Sequence, residues 1–256
     1  MKQFLAFFQK EWMELVRSGK FVVLMVLFLL FGVMNPAMAK LTPWIMEVAS
    51  ESLADTGLVV TEVMVDAMTS WAQYYKNISL VMIVFLLMIS GILTGEYQKK
   101  TLINMVTKGL DRWKIVLAKS AMLLLLWSLA YWLCYGITYG YTAYYWDNGV
   151  ASHVLFAAFC MYMLGVWLVS LIMLMSALVS SNTGVLLGTG CVFGISYLVG
   201  MLSKIKEYLP TQLLSAGDLL SGKGNTGDYS FGIAFCVIAA VLNIAVAVLV
   251  FNRRNL

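Results

Sequence analysis

The chain has 256 residues, of which 61% are hydrophobic and only 12% charged, and its formal net charge is +4; its mean hydropathy is +0.85. A soluble domain carries about 25% charged residues, so these figures exclude one and indicate a polytopic membrane protein. About 20 apolar residues cross roughly 30 Å of hydrocarbon, which leaves room for six or so helices and no large soluble domain.

The first twenty residues read as an amphipathic helix. Phe4, Leu5, Phe8, Trp12, Leu15 and Val16 share one arc of a helical wheel, and Lys2, Gln3, Lys10, Glu14 and Arg17 fill most of the rest. Such a helix is expected to lie in the membrane interface. Apolar stretches then predict spans over 21–39, 78–95, 115–145, 151–180, 183–203 and 230–251. Ala37-Met38-Ala39 has the form of a signal cleavage site, but the long helix-patterned segment before Phe21 is unlike a leader, and the first run is read as a span. The third and fourth runs are longer than a membrane requires, which predicts tilt, projecting ends, or kinks near Gly136, Gly140 and Gly165.

Between the first two spans, residues 40–76 are acidic and predict a separate outer helix. Val60, Val63, Met64, Ala67, Met68, Trp71 and Tyr74 lie on one face, and Glu62, Asp66, Thr69 and Gln73 on another. After the second span, residues 96–114 combine Lys99, Lys100 and Lys108 with an apolar edge of Leu102, Ile103, Met105 and Val106, and Gly109 breaks the helix. Asp111 is placed to cap the helix that starts at Arg112. The glycine-rich loop over 204–229 is expected to be flexible.

Charge distribution orients the chain. Lys2, Lys10, Arg17, Lys20, Lys99, Lys100, Lys108, Arg112, Lys114, Lys119, Arg253 and Arg254 fall on one side, twelve of the seventeen basic residues. Basic loops are retained in the cytosol, so both termini are expected there. The net charge is then a topology signal, and no nucleic-acid partner is expected.

Catalytic and metal chemistry find little support in the chain. There is no GxxxxGK[ST], GxSxG or HExxH, and His153 is the single histidine. Cys134, Cys160, Cys191 and Cys236 all fall in apolar runs and read as small hydrophobes. No cofactor or metal ligand set is predicted. Ion-coupled carriers need ionisable groups at mid-membrane, whereas Glu96 and Lys119 are expected to reach the interface from span ends, with Asp147 at the outer turn. Within the spans, Tyr131, Tyr135, Thr138 and Tyr139 form a polar-aromatic stripe that, with Asn243, makes a candidate substrate path; interfacial anchoring and a helix–helix hydrogen bond are the competing readings. Gly184 with Gly188 and Gly190 with Gly194 are GxxxG pairs in the fifth span, a candidate dimer face or an intrachain packing face.

Taken together, these features resemble the permease subunit of ABC-2 type transporters, in the branch whose ATPase is a separate polypeptide. The resemblance covers essentially the whole chain. It rests on KEWMELVRSGKF (Lys10 to Phe21), GEYQKKTLINMVTKGLDRWKIVLAKS (Gly95 to Ser120), SALVSSNTG (Ser176 to Gly184) and FNRRNL (Phe251 to Leu256). It implies an all-α integral membrane protein with one ABC-2 type transmembrane domain over 1–256 and six transmembrane helices. An N-terminal interfacial helix over 1–20 and a coupling helix between spans two and three would complete it.

The resemblance further implies a bacterial cytoplasmic membrane protein paired with a second permease chain, identical or related, above two cytosolic ATPase subunits that hold the ATP and Mg. The ATPase would couple through the N-terminal helix and through Glu96, Lys99, Lys100, Leu102, Ile103, Val106, Lys108 and Arg112. The implied activity is ATP-driven export or flopping of an amphipathic drug, peptide or lipid-like compound, with no catalysis by this chain. Gly109 stands where the family often has proline, and residues 40–76 are shorter than the large outer domains of some exporters. The alternatives are a non-transporting sensory or immunity module that binds an antimicrobial peptide, or a carrier that works alone. Replacing Leu102 and Ile103 with Asp is expected to uncouple ATP hydrolysis while leaving insertion intact.

Overall fold

The structure is a computed structural model that describes residues 2–53, 65–98, 101–107, 109–202, 205–222 and 224–254. Among the described residues it is an all-helical bundle with six helices long and apolar enough to cross a membrane. In chain order the described α-helices are α1 (Lys2–Arg17), α2 (Lys20–Leu53), α3 (Ala67–Ile89), α4 (Thr94–Gln98), α5 (Thr101–Thr107), α6 (Arg112–Tyr145), α7 (Val154–Leu178), α8 (Asn182–Val199) and α9 (Ser230–Arg253). The spans are α2, α3, α6, α7, α8 and α9. One basal end gathers α1, α4, α5, the start of α6 and the end of α9; the opposite, distal end carries the α6–α7 turn and a 3₁₀ segment over Pro210–Ser221.

The central helices are α6 and α7, and the most peripheral are α8 and α9. Helix α6 packs on α1, α2, α3, α7 and α9, and α7 packs on α6, α8, α9 and the 3₁₀ segment. Gly165 on α7 permits the α6 contact, because a Cβ there would lie 2.1 Å from the Trp127 ring. The Trp127 indole donates to the Tyr162 carbonyl at 3.1 Å, which supplies the partner a buried indole N–H requires. Gly165 thus serves close packing within a continuous helix, rather than a break in the helix.

Helix α2 carries Pro36 in its interior. A proline there has no N–H for the carbonyl four residues earlier, which is Gly32. The Thr138 hydroxyl on α6 donates to that carbonyl at 3.0 Å. Thr138 in turn accepts from Asn35 Nδ2 at 3.1 Å, and Asn35 Oδ1 accepts from Asn77 Nδ2 of α3 at 2.8 Å. A neighbouring helix therefore repairs the gap the proline opens, as the absence of water in a bilayer demands.

Two loop readings change. The stretch 40–76 is not a separate outer helix where it is described. Lys40 to Leu53 continue α2, and Ala67, Trp71 and Tyr74 are buried in the first turns of α3; Val60, Glu62, Val63 and Met64 lie outside the described residues. The loop expected to be flexible instead forms the distal cap. Leu213, Ala216, Leu219 and Leu220 of the 3₁₀ segment are buried against α7 and α9. Apolar residues recurring every three or four positions carried this signal, and the glycines masked it.

Candidate functional site

The basal end is built around α4, five residues long and touched from four directions. The Thr94 hydroxyl meets the Asn182 side chain at the start of α8. Glu96 pairs with Lys119 of α6 at 3.1 Å and with Lys10 of α1 at 3.4 Å. Tyr97 packs on Phe251 of α9, with the Arg254 guanidinium 4.4 Å from its ring centre.

The ion pairs extend beyond Glu96. Lys119 Nζ lies 2.5 Å from Glu11 of α1, and Lys10 reaches Glu11 at 2.9 Å and Glu14 at 2.8 Å. Lys119 is 1% exposed and Glu11 3%. Burial alone would lower the Lys10 pKa, but the hydrogen bonds it donates to Glu14 and Glu11 outweigh that and raise the value; this lysine stays charged. The cluster sets two lysines against three carboxylates. Glu11, Glu14 and Glu96 could each turn one oxygen to a common point, yet the two ammonium groups already supply the positive charge there. The cluster borders a cleft of about 400 Å³ that Gly91, Gly95, Met105 and Met122 also line.

Local sequence explains how these residues meet. Gly19, at φ +74°, lets α1 turn back from α2, and α1 then lies along α6, with Lys114 donating to Gln3 at 2.8 Å. The buried face of α1 centres on Phe7, Glu11 and Leu15. It is rotated by about a fifth of a turn from the apolar arc read in the sequence, taking 3.6 residues per turn. Leu5, Met13 and Val16 are left outside. Gly109, at φ +86°, ends α5 with bonds from Leu110 N to the Met105 carbonyl and from Gly109 N to the Val106 carbonyl, the paired closure typical of helix C-termini.

Several expected roles shift with this geometry. Leu102 is 1% exposed and packs in the core, so it anchors α5 and is not an exposed docking edge. Val106 is half-buried against the same core, and Arg112 donates to the carbonyls of Asn252 and Arg254. Lys99, Lys100 and Lys108 lie outside the described residues, as does the side chain of Ile103. Lys119 does not reach toward water; it points into protein. Asp111 precedes α6 as expected, but its side chain makes no cap hydrogen bond and pairs with Lys114 at 2.6 Å.

The stripe residues divide. Tyr131 and Thr138 are fully buried, with Tyr131 donating to the Ala158 carbonyl at 2.6 Å. Tyr135 is half-buried against Trp71 and Tyr74, and Tyr139 is exposed. Asn243 donates to Ser170 of α7 at 3.1 Å, the helix–helix bond its position suggested. The glycine pairs divide too. A Cβ at Gly184 would strike Val179 at 2.5 Å and one at Gly188 would strike Met175 at 2.9 Å, whereas Gly190 and Gly194 have nothing within 4 Å. The first pair serves intrachain packing and the second faces outward beside exposed Leu187, Cys191 and Leu198.

Sequence reasoning missed Glu11, Asn35 and Asn77. Glu11 carried a readable signal, a carboxylate between Phe7 and Leu15 at four-residue spacing, which places it on the face those two bury.

Comparison with known proteins agrees with this architecture. The chain is 20% identical, over 99% of its length and 98% of the relative's, to the uncharacterized transmembrane protein YxlG of Bacillus subtilis (strain 168). No solved structure matches. Residues 5–210 match the ABC-2 family transporter protein family, a span that runs from within α1 through α8 and includes the whole ion cluster. The chain belongs to the ABC-2 family of transporter membrane proteins.

Proposed function

We propose that this chain is the permease of an ATP-driven exporter, powered by a separate cytosolic ATPase that docks on the basal end. The observation that carries the reading is the ion cluster joining α1, α4 and α6. Removing one partner from a buried ion pair costs about 3–5 kcal/mol, so the three elements are held as one body. A force applied to α1 or to the α4–α5 segment is then delivered to α6, the helix that contacts most of the bundle. ATP and Mg belong to the ATPase, and the cargo is an amphipathic compound. The basal end is cytosolic, which places both termini inside.

Two permease chains over two ATPases complete the assembly in this reading. The outward pair Gly190 and Gly194 on α8 supports a self-association face, since small residues let helix backbones approach closely in lipid.

The test is to tag the chain, solubilise native membranes in mild detergent, and identify what co-purifies near one-to-one. A soluble subunit that hydrolyses ATP is expected. Recovery of an intact, folded chain without one would overturn the proposal and favour a carrier or binding module that works alone.

A further inference from the structure

At the distal end a groove of about 420 Å³ runs between α2 and α6. Its floor is apolar, with Val33, Pro36, Ala37 and Leu41 from α2, and Tyr141 and Tyr145 from α6. The α2 residues recur at helical spacing and share one face. Lys40 closes the groove, its ammonium 3.9 Å from the centre of the Tyr145 ring. Among the described residues no carboxylate pairs with Lys40.

Depth fixes what such a groove meets. Lys20 begins α2, and twenty residues at about 1.5 Å each place Lys40 roughly 30 Å further along, one hydrocarbon thickness. Lys40 therefore sits at the distal headgroup level, and Val33, seven residues earlier, lies about 10 Å deeper. A cation at the interface above an apolar channel at acyl-chain depth matches the two halves of one molecule.

We infer that this groove is a binding site for an anionic phospholipid of the distal leaflet, its phosphate on Lys40 and an acyl chain along Val33, Pro36 and Tyr141. The aromatic face of Tyr145 holds the ammonium in place without neutralising it. A zwitterionic lipid offers the same chains but no net charge to the lysine, so the site discriminates by headgroup. The inference needs no ATPase and stands apart from the transport proposal.

The experiment reconstitutes the full chain in phosphatidylcholine nanodiscs containing a trace of phosphatidylglycerol with a photoreactive acyl chain. A matched phosphatidylcholine probe serves as the comparison. Labelled peptides are mapped by mass spectrometry. The phosphatidylglycerol probe is expected to label 33–41 and 141–145 about fivefold more than its partner, the factor one interfacial cation contributes toward an anionic lipid. Lys40→Gln is expected to abolish that preference and Lys40→Arg to keep it. Equal labelling by both probes, labelling unchanged in Lys40→Gln, or labels confined to other segments, as when a second protein chain covers the groove, would each overturn the site.

Discussion

The two ends of the bundle are held by different chemistry. At the basal end α1, α4 and α6 are joined by buried charges, Lys119 with Glu11 and Glu96. At the distal end α2, α3 and α6 are joined by neutral groups: Asn77 to Asn35 to Thr138 to the Gly32 carbonyl, and Ser70 to Thr142 at 2.7 Å, beside Trp71 and Tyr74. A broken buried ion pair strands a charge, whereas a neutral amide or hydroxyl finds another partner at a cost of about 1 kcal/mol. The basal end is thus suited to move as a unit, and the distal end to rearrange.

The largest test of this contrast is Lys119→Met, which leaves Glu11 and Glu96 without their shared cation. It should destabilise the chain in detergent by about 3–5 kcal/mol, read by thermal or denaturant unfolding. Replacing Glu11 and Glu96 by Gln in the same chain should recover most of that loss. If the single change costs less than the triple one, the charges do not hold the basal end together.

Gly165→Ala probes the layer between the ends. The added methyl meets Trp127 at 2.1 Å, and overpacking should cost about 1–3 kcal/mol, with a change in indole fluorescence. At the distal end Thr138→Val should cost only about 1 kcal/mol. Pro36→Ala in that background should recover the loss, because α2 then regains its own donor to the Gly32 carbonyl. A cost equal to that of Lys119→Met would erase the distinction between the ends.

Self-association comes next. Oxidation in membranes should form a Cys191–Cys191 cross-link, and Gly190→Leu should suppress it without loss of folded monomer, since nothing lies within 4 Å of that glycine. The smallest expected effect concerns pH. Because the Lys10 pKa is raised in the folded chain, its pairing contributes fully below the ordinary lysine value of about 10.4 and fades only as pH climbs through the higher folded value. The stability difference between wild type and Lys10→Gln should therefore stay flat across pH 7–9.

The spans were legible because apolar runs of membrane length are a strong signal, and α6 begins at Arg112 after Asp111 as the sequence suggests. The ends were harder to read. The continuation of α2 through Pro36 and Pro43 contradicts proline's local preference, and the repair at Pro36 comes from Thr138, 106 residues from the Gly32 carbonyl it bonds. The basal cluster was half visible: Glu96 and Lys119 stood out as charges near span ends, but their pairing depends on the rotation of α1 that buries Glu11. Leu102 looked like an exposed edge because a short amphipathic pattern does not reveal which surface covers it. Replacing it with Asp is now expected to disturb folding, so the proposed docking is better probed at Met13 or Val16, both exposed.

In the proposed assembly, α1 and α6 travel together when the ATPase closes. The distance between spin labels at positions 9 and 113 in the complex with the proposed ATPase, with and without a non-hydrolysable ATP analogue, tests this. One narrow distance is expected, unchanged by nucleotide and broadened in Lys119→Met. A nucleotide-dependent shift between the two labels in the unaltered cluster would contradict it.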